Sequence, residues 1–183
     1  MRIENGHAHA TSRYTNISDE DYRNLLSDIC IVKEKKYKSL TVHLPLEIQH
    51  PHVYKKKNEG LRFIQFGECL KNFFRIKLYW ENAPEEVTGE WSLRYGQTDW
   101  TYVPHDIAIC FDVGHCMIGA HDKDDAKKRI QIIFAKRGKQ IKHLHIHEND
   151  FFHDTHQNLG HILTHDFIKP FLRKRTYIFE KGE

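Results

Sequence analysis

HLHIHEND, residues 143 to 150, sets three imidazoles at alternate positions and follows them with an acid, an amide and another acid. Alternate residues of a strand point to one face. His143, His145 and His147 are therefore expected on one side of a strand, with Leu144 and Ile146 on the other. Just upstream, IAICF at 107 to 111 is apolar on both faces, as a fully covered parallel strand should be. A helix from about Lys123 to Arg137 lies between the two, with Gly138 expected as a left-handed cap.

The same alternation extends outward in both directions. Toward the N-terminus, IENGHAHA at 3 to 10 reads as a short strand running into a loop. SDED at 18 to 21 offers a capping box that opens a helix through about Tyr37, with Tyr22, Leu25, Leu26, Ile29 and Val32 on its inner face. SLTVHL at 39 to 44 is a strand closed by Pro45, an amphipathic segment runs from about Glu59 to Phe74, and IKLYW at 76 to 80 is the next strand. Pro84 to Pro104 has no clean period and reads as a long loop. Toward the C-terminus, a polar loop through Leu163 leads to a helix from about His165 to Lys174, with a bend expected at Pro170, and then to TYIFE at 176 to 180.

Strands alternating with helices imply a parallel sheet with right-handed crossovers. Whether that sheet is open or closed into a barrel is decided by where the polar residues fall. A ligand-type residue sits at or near each strand end: His9, His43, Glu81, Asp112, His145 and Glu180. In a parallel barrel those ends open onto one face, where catalytic groups converge. The expected fold is therefore α/β, a (β/α) TIM-type barrel forming a single domain over residues 1–183.

Composition sets the limits. The chain has 183 residues, 39% hydrophobic and 29% charged, which suits a folded globular domain. Lys plus Arg exceed Asp plus Glu by 28 − 25 = 3, too few to imply nucleic-acid binding without clustering. The basic runs Lys33–Lys38, Lys55–Lys57 and Arg173–Arg175 are short and scattered, as solvated surfaces are. Cys30, Cys69, Cys110 and Cys116 contain no C-x-x-C pair and read as reduced, buried thiols, so a cytoplasmic, non-membrane protein is expected. The outlier is the count of 15 histidines.

Asp112 follows an almost wholly apolar strand, and burying a bare carboxylate costs several kcal/mol unless a cation or strong donors compensate it. In FDVGH, Asp112 and His115 can approach neighbouring metals from one turn, with Gly114 allowing the backbone to fold tightly between them. His145, flanked by apolar residues, is the expected ligand of the histidine run, and His143 and His147 stand evenly between binding metal themselves and serving as second-sphere donors or rim groups. HDTH at 153 to 156 offers Asp154 and His156, whereas His153, His161 and His165 read as solvated or structural. Mixed imidazole and carboxylate ligands without thiolates suit a divalent Zn, Mn, Fe or Mg ion.

The series HAHA…NIS, LTVHLP, ENAP, FDVGHCMIGA, HLHIHEND…DTH…LG and a closing YIFE resembles the xylose isomerase-like TIM-barrel superfamily. That superfamily holds sugar and sugar-phosphate isomerases and epimerases together with endonuclease IV, the AP endonuclease family 2. The resemblance covers nearly the whole chain, from the second strand of that barrel to the eighth. It implies a barrel lacking its first βα unit, since 183 residues fall short of the ~250 usual for this fold. Its open edges would then be closed by the N-terminal segment, by a partner subunit in a homo-oligomer or by upstream chain. NLGHILTH at 158 to 165 departs from the glycine-flanked turn common among relatives.

The epimerase branch implies one metal held by Glu81, Asp112, His145 and Glu180, with Glu81 and Glu180 doubling as an acid/base pair on a small sugar or sugar phosphate. The endonuclease branch implies three zinc ions, with His9, His43, His115, Asp154 and His156 as additional ligands and abasic DNA as substrate. A third expectation is a metal-binding remnant without turnover.

Overall fold

In the computed structural model, residues 1–10, 17–49, 57–83 and 100–180 are described. Two compact units are distinguished, Met1–Glu81 with Asp99–Ala108, and Asn82–Thr98 with Ile109–Glu183. Within each unit the strand order follows the chain.

The first unit opens with a hairpin where the sequence suggested one strand and a loop. β1 (Arg2–Glu4) pairs antiparallel with β2 (His7–His9). Asn5 and Gly6 between them take φ of 50° and 82°. Asn-Gly tolerates both positive angles, and the resulting turn matches the twist of paired strands. β2 runs parallel to β3 (Ser39–His43), and β3 parallel to β4 (Leu78–Glu81). Every residue of β3 and β4 is buried, as expected of parallel strands covered on both faces.

α1 (Asp19–Glu34) starts as the sequence dictates: the Ser18 side chain accepts from Asp21 N–H and the Asp21 carboxylate accepts from Ser18 N–H. The helix ends at Glu34 with Lys35 as its cap, short of Tyr37, and Lys36 turns the chain with φ 56°. Leu25, Ile29 and Val32 are buried, whereas Leu26 is exposed and does not join the core. Tyr22 packs edge-on against Phe63 and Phe66 of α3 (Lys57–Phe74) at 5.2 and 5.1 Å. A short α2 (Leu46–Gln49) follows Pro45.

In the second unit β5 (Ile109–Asp112), β6 (Ile141–Ile146) and β7 (Thr176–Phe179) are parallel neighbours. Asp112 ends β5 and at once caps α4 (Val113–Met117), its Oδ1 accepting from His115 N–H at 2.7 Å. α5 (Lys123–Arg137) is capped by Asp122 and closed by Gly138. Gly138 has φ −54°, so the left-handed cap expected there is absent. Glycine is required for a different reason: a Cβ would collide with the Phe134 carbonyl oxygen. α6 (His165–Leu172) contains Pro170 and ends two residues before Lys174.

One further expectation changes. Cys110 and Cys116 are buried, but Cys30 and Cys69 are exposed because they fall on outward positions of amphipathic helices. Most of the 84–104 loop, the Asn16 position and the 55–57 basic run lie outside the residues whose side chains are described. No helix among the described residues is long and apolar enough to cross a membrane.

Candidate metal centres

The first unit assembles three ligand-type side chains from three neighbouring strands. His9 ends β2, His43 ends β3 and Glu81 ends β4, and the parallel register places His43 directly opposite Glu81. The His9 imidazole bonds the Glu81 carboxylate at Nε2–Oε2 2.5 Å, and His43 Nε2 lies 3.6 Å from the same oxygen. Glu81 is fully buried, and so the two imidazoles share the work of compensating it. His7, two residues before His9, turns its Nδ1 to Ser39 Oγ at 2.7 Å.

In the second unit the donors are more numerous. Asp112 and His145 face each other in register across β5 and β6. His145 Nδ1 lies 3.8 Å from Asp112 Oδ2 and 3.5 Å from Glu180 Oε1, the residue that follows β7. His147, just past the end of β6, is completely buried; its Nε2 sits 3.1 Å from Asp112 Oδ1 and 3.7 Å from Glu180 Oε2. The alternation of the histidine run thus brings both His145 and His147 to Asp112 and Glu180. His143, one step back, bonds Thr176 Oγ1 through Nδ1 at 2.6 Å.

Around these lie His115, Asp154 and His156. His115 Nε2 is 3.4 Å from Asp154 Oδ2, His156 Nε2 is 3.2 Å from Asp154 Oδ1, and His156 Nδ1 is 3.4 Å from Glu180 Oε2. The His115 ring is fixed from behind, its Nδ1–H donating to the Asn82 carbonyl at 2.6 Å. That outer-sphere contact sets the tautomer of the ring and turns Nε2 toward Asp154. His147 and His156 stack with ring centroids 4.0 Å apart.

Charge distribution follows this geometry. Burial works against a protonated His147, but the adjoining Asp112 carboxylate outweighs it and raises the imidazole pKa above its ordinary value. Burial also pushes the Asp154 carboxyl up, yet hydrogen bonds to His115 and His156 prevail and hold it well below the usual carboxylate range. Cys116, next to His115 but buried without a cationic neighbour strong enough to offset desolvation, is pushed up to about 12 and stays a thiol.

The donor set fits a divalent ion. Ligand atoms of His115, His147, Asp154 and His156 lie within 4.8 Å of one another, as do those of Asp112, His147 and Glu180, and those of His9, His43 and Glu81. Nitrogen and oxygen ligands about 2.0–2.1 Å from a tetrahedral ion stand roughly 3.3 Å apart, close to the separations above. Sequence reasoning left His147 evenly balanced between ligand and outer roles, whereas the structure groups it with both sets of donors. The available signal was Gly114, where a Cβ would collide with the His147 ring.

Two residues behind the second unit's donors are also unforeseen. Glu148 is fully buried, and its carboxylate accepts from the N–H groups of Gly160, His161, Ile162 and Leu163 at 2.6 to 3.2 Å. A cleft of about 280 Å³ lined by Ile146, Gln157, Asn158, Leu159, His165, Phe179 and Glu180 opens beside Glu180. His165, expected to be solvated or structural, is part of that wall.

No protein-family model and no curated protein matches the sequence. Solved structures resemble the fold, among them these two. One is a D-tagatose 3-epimerase-like protein, 18% identical, with TM-score 0.63 over 96% of this chain and 69% of that one. The other is the TTHB071 protein from Thermus thermophilus soaked with ZnCl2, 18% identical, with TM-score 0.64 over 97% of this chain and 70% of that one. At this identity the likeness establishes the fold: a truncated (β/α) TIM-type barrel, carrying clustered histidines and carboxylates able to bind a divalent metal.

Proposed function

We propose that the protein is a divalent-metal-dependent isomerase or epimerase of a small sugar or sugar phosphate, working in the cytoplasm. The observation that carries this reading is the convergence of Asp112, His147 and Glu180 at ligand spacing, with His145 Nδ1 3.8 and 3.5 Å from the two carboxylates, beside a cleft of about 280 Å³. The resemblance of ENAP and FDVGH to the isomerase branch supplies Glu81 as the fourth ligand. A bound Zn, Mn, Fe or Mg ion would polarise the sugar oxygens. Glu180, lining the cleft, takes the proton from the carbon beside the carbonyl, and Glu81 is its partner in returning one. Gln157, Asn158 and His165 offer hydroxyl partners on the cleft wall, and Phe179 an apolar face for the sugar ring.

Incubation of the metal-loaded protein with a panel of ketoses in deuterated water tests this directly. Deuterium enters a carbon-bound position of at least one sugar, and Glu180→Gln abolishes the exchange. No exchange across the panel sinks the proposal.

A second reading has its own support in the His9, His43 and Glu81 cluster and the His115, His147, Asp154 and His156 cluster, more donors than one ion takes. These suit an endonuclease IV-like zinc hydrolase acting on abasic DNA, with several ions stabilising a phosphoryl group in transit. Metal analysis separates the two: about three ions per chain favour hydrolysis and one favours isomerisation. Incision of an abasic oligonucleotide is the matching assay. Metal uptake with neither activity would mark the protein as a metal-binding remnant.

A further inference from the structure

The acid-amide-acid triplet that closes the histidine run, Glu148-Asn149-Asp150, takes no part in the chemistry above. Asn149 is fully buried at the end of the run. Its Oδ1 accepts from the N–H groups of Thr155 at 2.8 Å and His156 at 3.1 Å, and from the Thr155 hydroxyl at 3.5 Å. Its Nδ2 donates to Asp154 Oδ1 at 3.4 Å. One side chain thus holds three consecutive residues, of which the first and last carry the carboxylate and imidazole grouped with His115 and His147.

The hold matters because of how that loop is built. His156 has φ 48°, a left-handed conformation that a residue with a Cβ adopts only when its surroundings impose it. Glu148 secures the far side of the same loop through the backbone of 160–163 and through a bridge to Gln157. Between the two anchors, Asp154 and His156 are left with little backbone freedom. The amide is the side chain that meets both demands: an oxygen that accepts two backbone N–H groups, and an N–H that donates to a carboxylate.

We propose that Asn149 is a positioning residue that presets Asp154 and His156 for a divalent cation without touching the cation. The proposal rests on reading this cluster as a metal site. A loop ordered before binding loses no conformational freedom at the moment of binding, and outer-sphere contacts of this kind change metal affinity by roughly 10–100-fold.

The test uses zinc alone, added to metal-stripped full-length protein in competition with a chromophoric chelator, together with amide hydrogen exchange of the metal-free protein. Wild type shows slow exchange at Thr155 and His156. Asn149→Ala shows fast exchange there and binds zinc about 10–100-fold more weakly. Asp150→Ala, which removes only the bonds to Phe152 and His153, leaves zinc affinity unchanged. Wild-type affinity in Asn149→Ala, or an equal loss in Asp150→Ala, overturns the positioning role. Should Asn149→Ala fail to fold, Asn149→Asp decides: it keeps the acceptor, so both amides remain protected and zinc binds within about ten-fold of wild type. Loss of either result overturns the role. If wild type takes up no zinc, the metal-site reading itself falls and takes this one with it.

Discussion

Asp112 is the residue around which the second unit's donors gather. It ends a strand, caps a helix through His115 N–H and faces His145 and His147, all without solvent contact. A buried carboxylate among imidazoles makes the metal-free site pH-sensitive in a defined direction. His147 has its pKa raised above 6.5 in the fold, so its pairing with Asp112 stabilises the metal-free protein fully below pH 6.5 and is lost as pH rises through the raised value. Asp154 acts oppositely: its contribution is present above its ordinary 3.8 and is lost only as pH falls through its lowered folded value. The expected outcome is a metal-free protein that loses stability on the alkaline side of pH 6.5, a loss that His147→Gln removes. Urea titrations at stepped pH measure it. Zinc should bind more tightly over the same rise, because the cation replaces the imidazolium proton. At Gly114, substitution by Ala forces the His147 ring aside; it should cost about 1–3 kcal/mol and weaken zinc binding together, as unfolding and chelator competition would report.

Elements were legible in the sequence where local chemistry determines them. The Ser18 and Asp21 capping box placed the start of α1 correctly, since both reciprocal bonds depend on residues within one turn. Ser18→Ala is therefore expected to cost about 1 kcal/mol, measurable as a lower urea midpoint with an unchanged slope. The parallel strands were legible from their apolar runs, and Asp112, His145 and Glu180 from their positions at strand ends. The conformation of one cap and the extent of one buried face were not. Gly138 is fixed by a neighbouring carbonyl rather than by its own φ, and Leu26 has the helical spacing of a core residue but is exposed among the described residues. The Asn5-Gly6 hairpin was readable in principle, but the flanking strands are only three residues long and give no alternation to recognise. For the loop beyond β6, sequence spacing could mark Asp154 and His156 but not the side chain that fixes their backbone.

At the scale of the whole molecule, donors drawn from segments far apart in sequence would make binding of a metal a folding term. Asp112, His145, Asp154 and Glu180 span three strands and a long loop, so an ion that binds only the folded form stabilises all of them together. At 100 times its dissociation constant, zinc should add about 2.7 kcal/mol, read as a rise in thermal midpoint that a chelator reverses. Glu180→Gln should reduce that rise, and a variant such as Phe73→Ala, an exposed aromatic on α3, should leave it intact.

The carboxylate of Glu148 has one more consequence. The four amide groups that converge on it form a concave patch of positive potential, the kind of seat in which barrel loops after the last strands commonly receive an oxyanion. Here the chain has seated its own anion. Inorganic phosphate would have to evict a buried side chain to enter, so millimolar phosphate should leave the melting curve unshifted, whereas Glu148→Ala should open the seat to it.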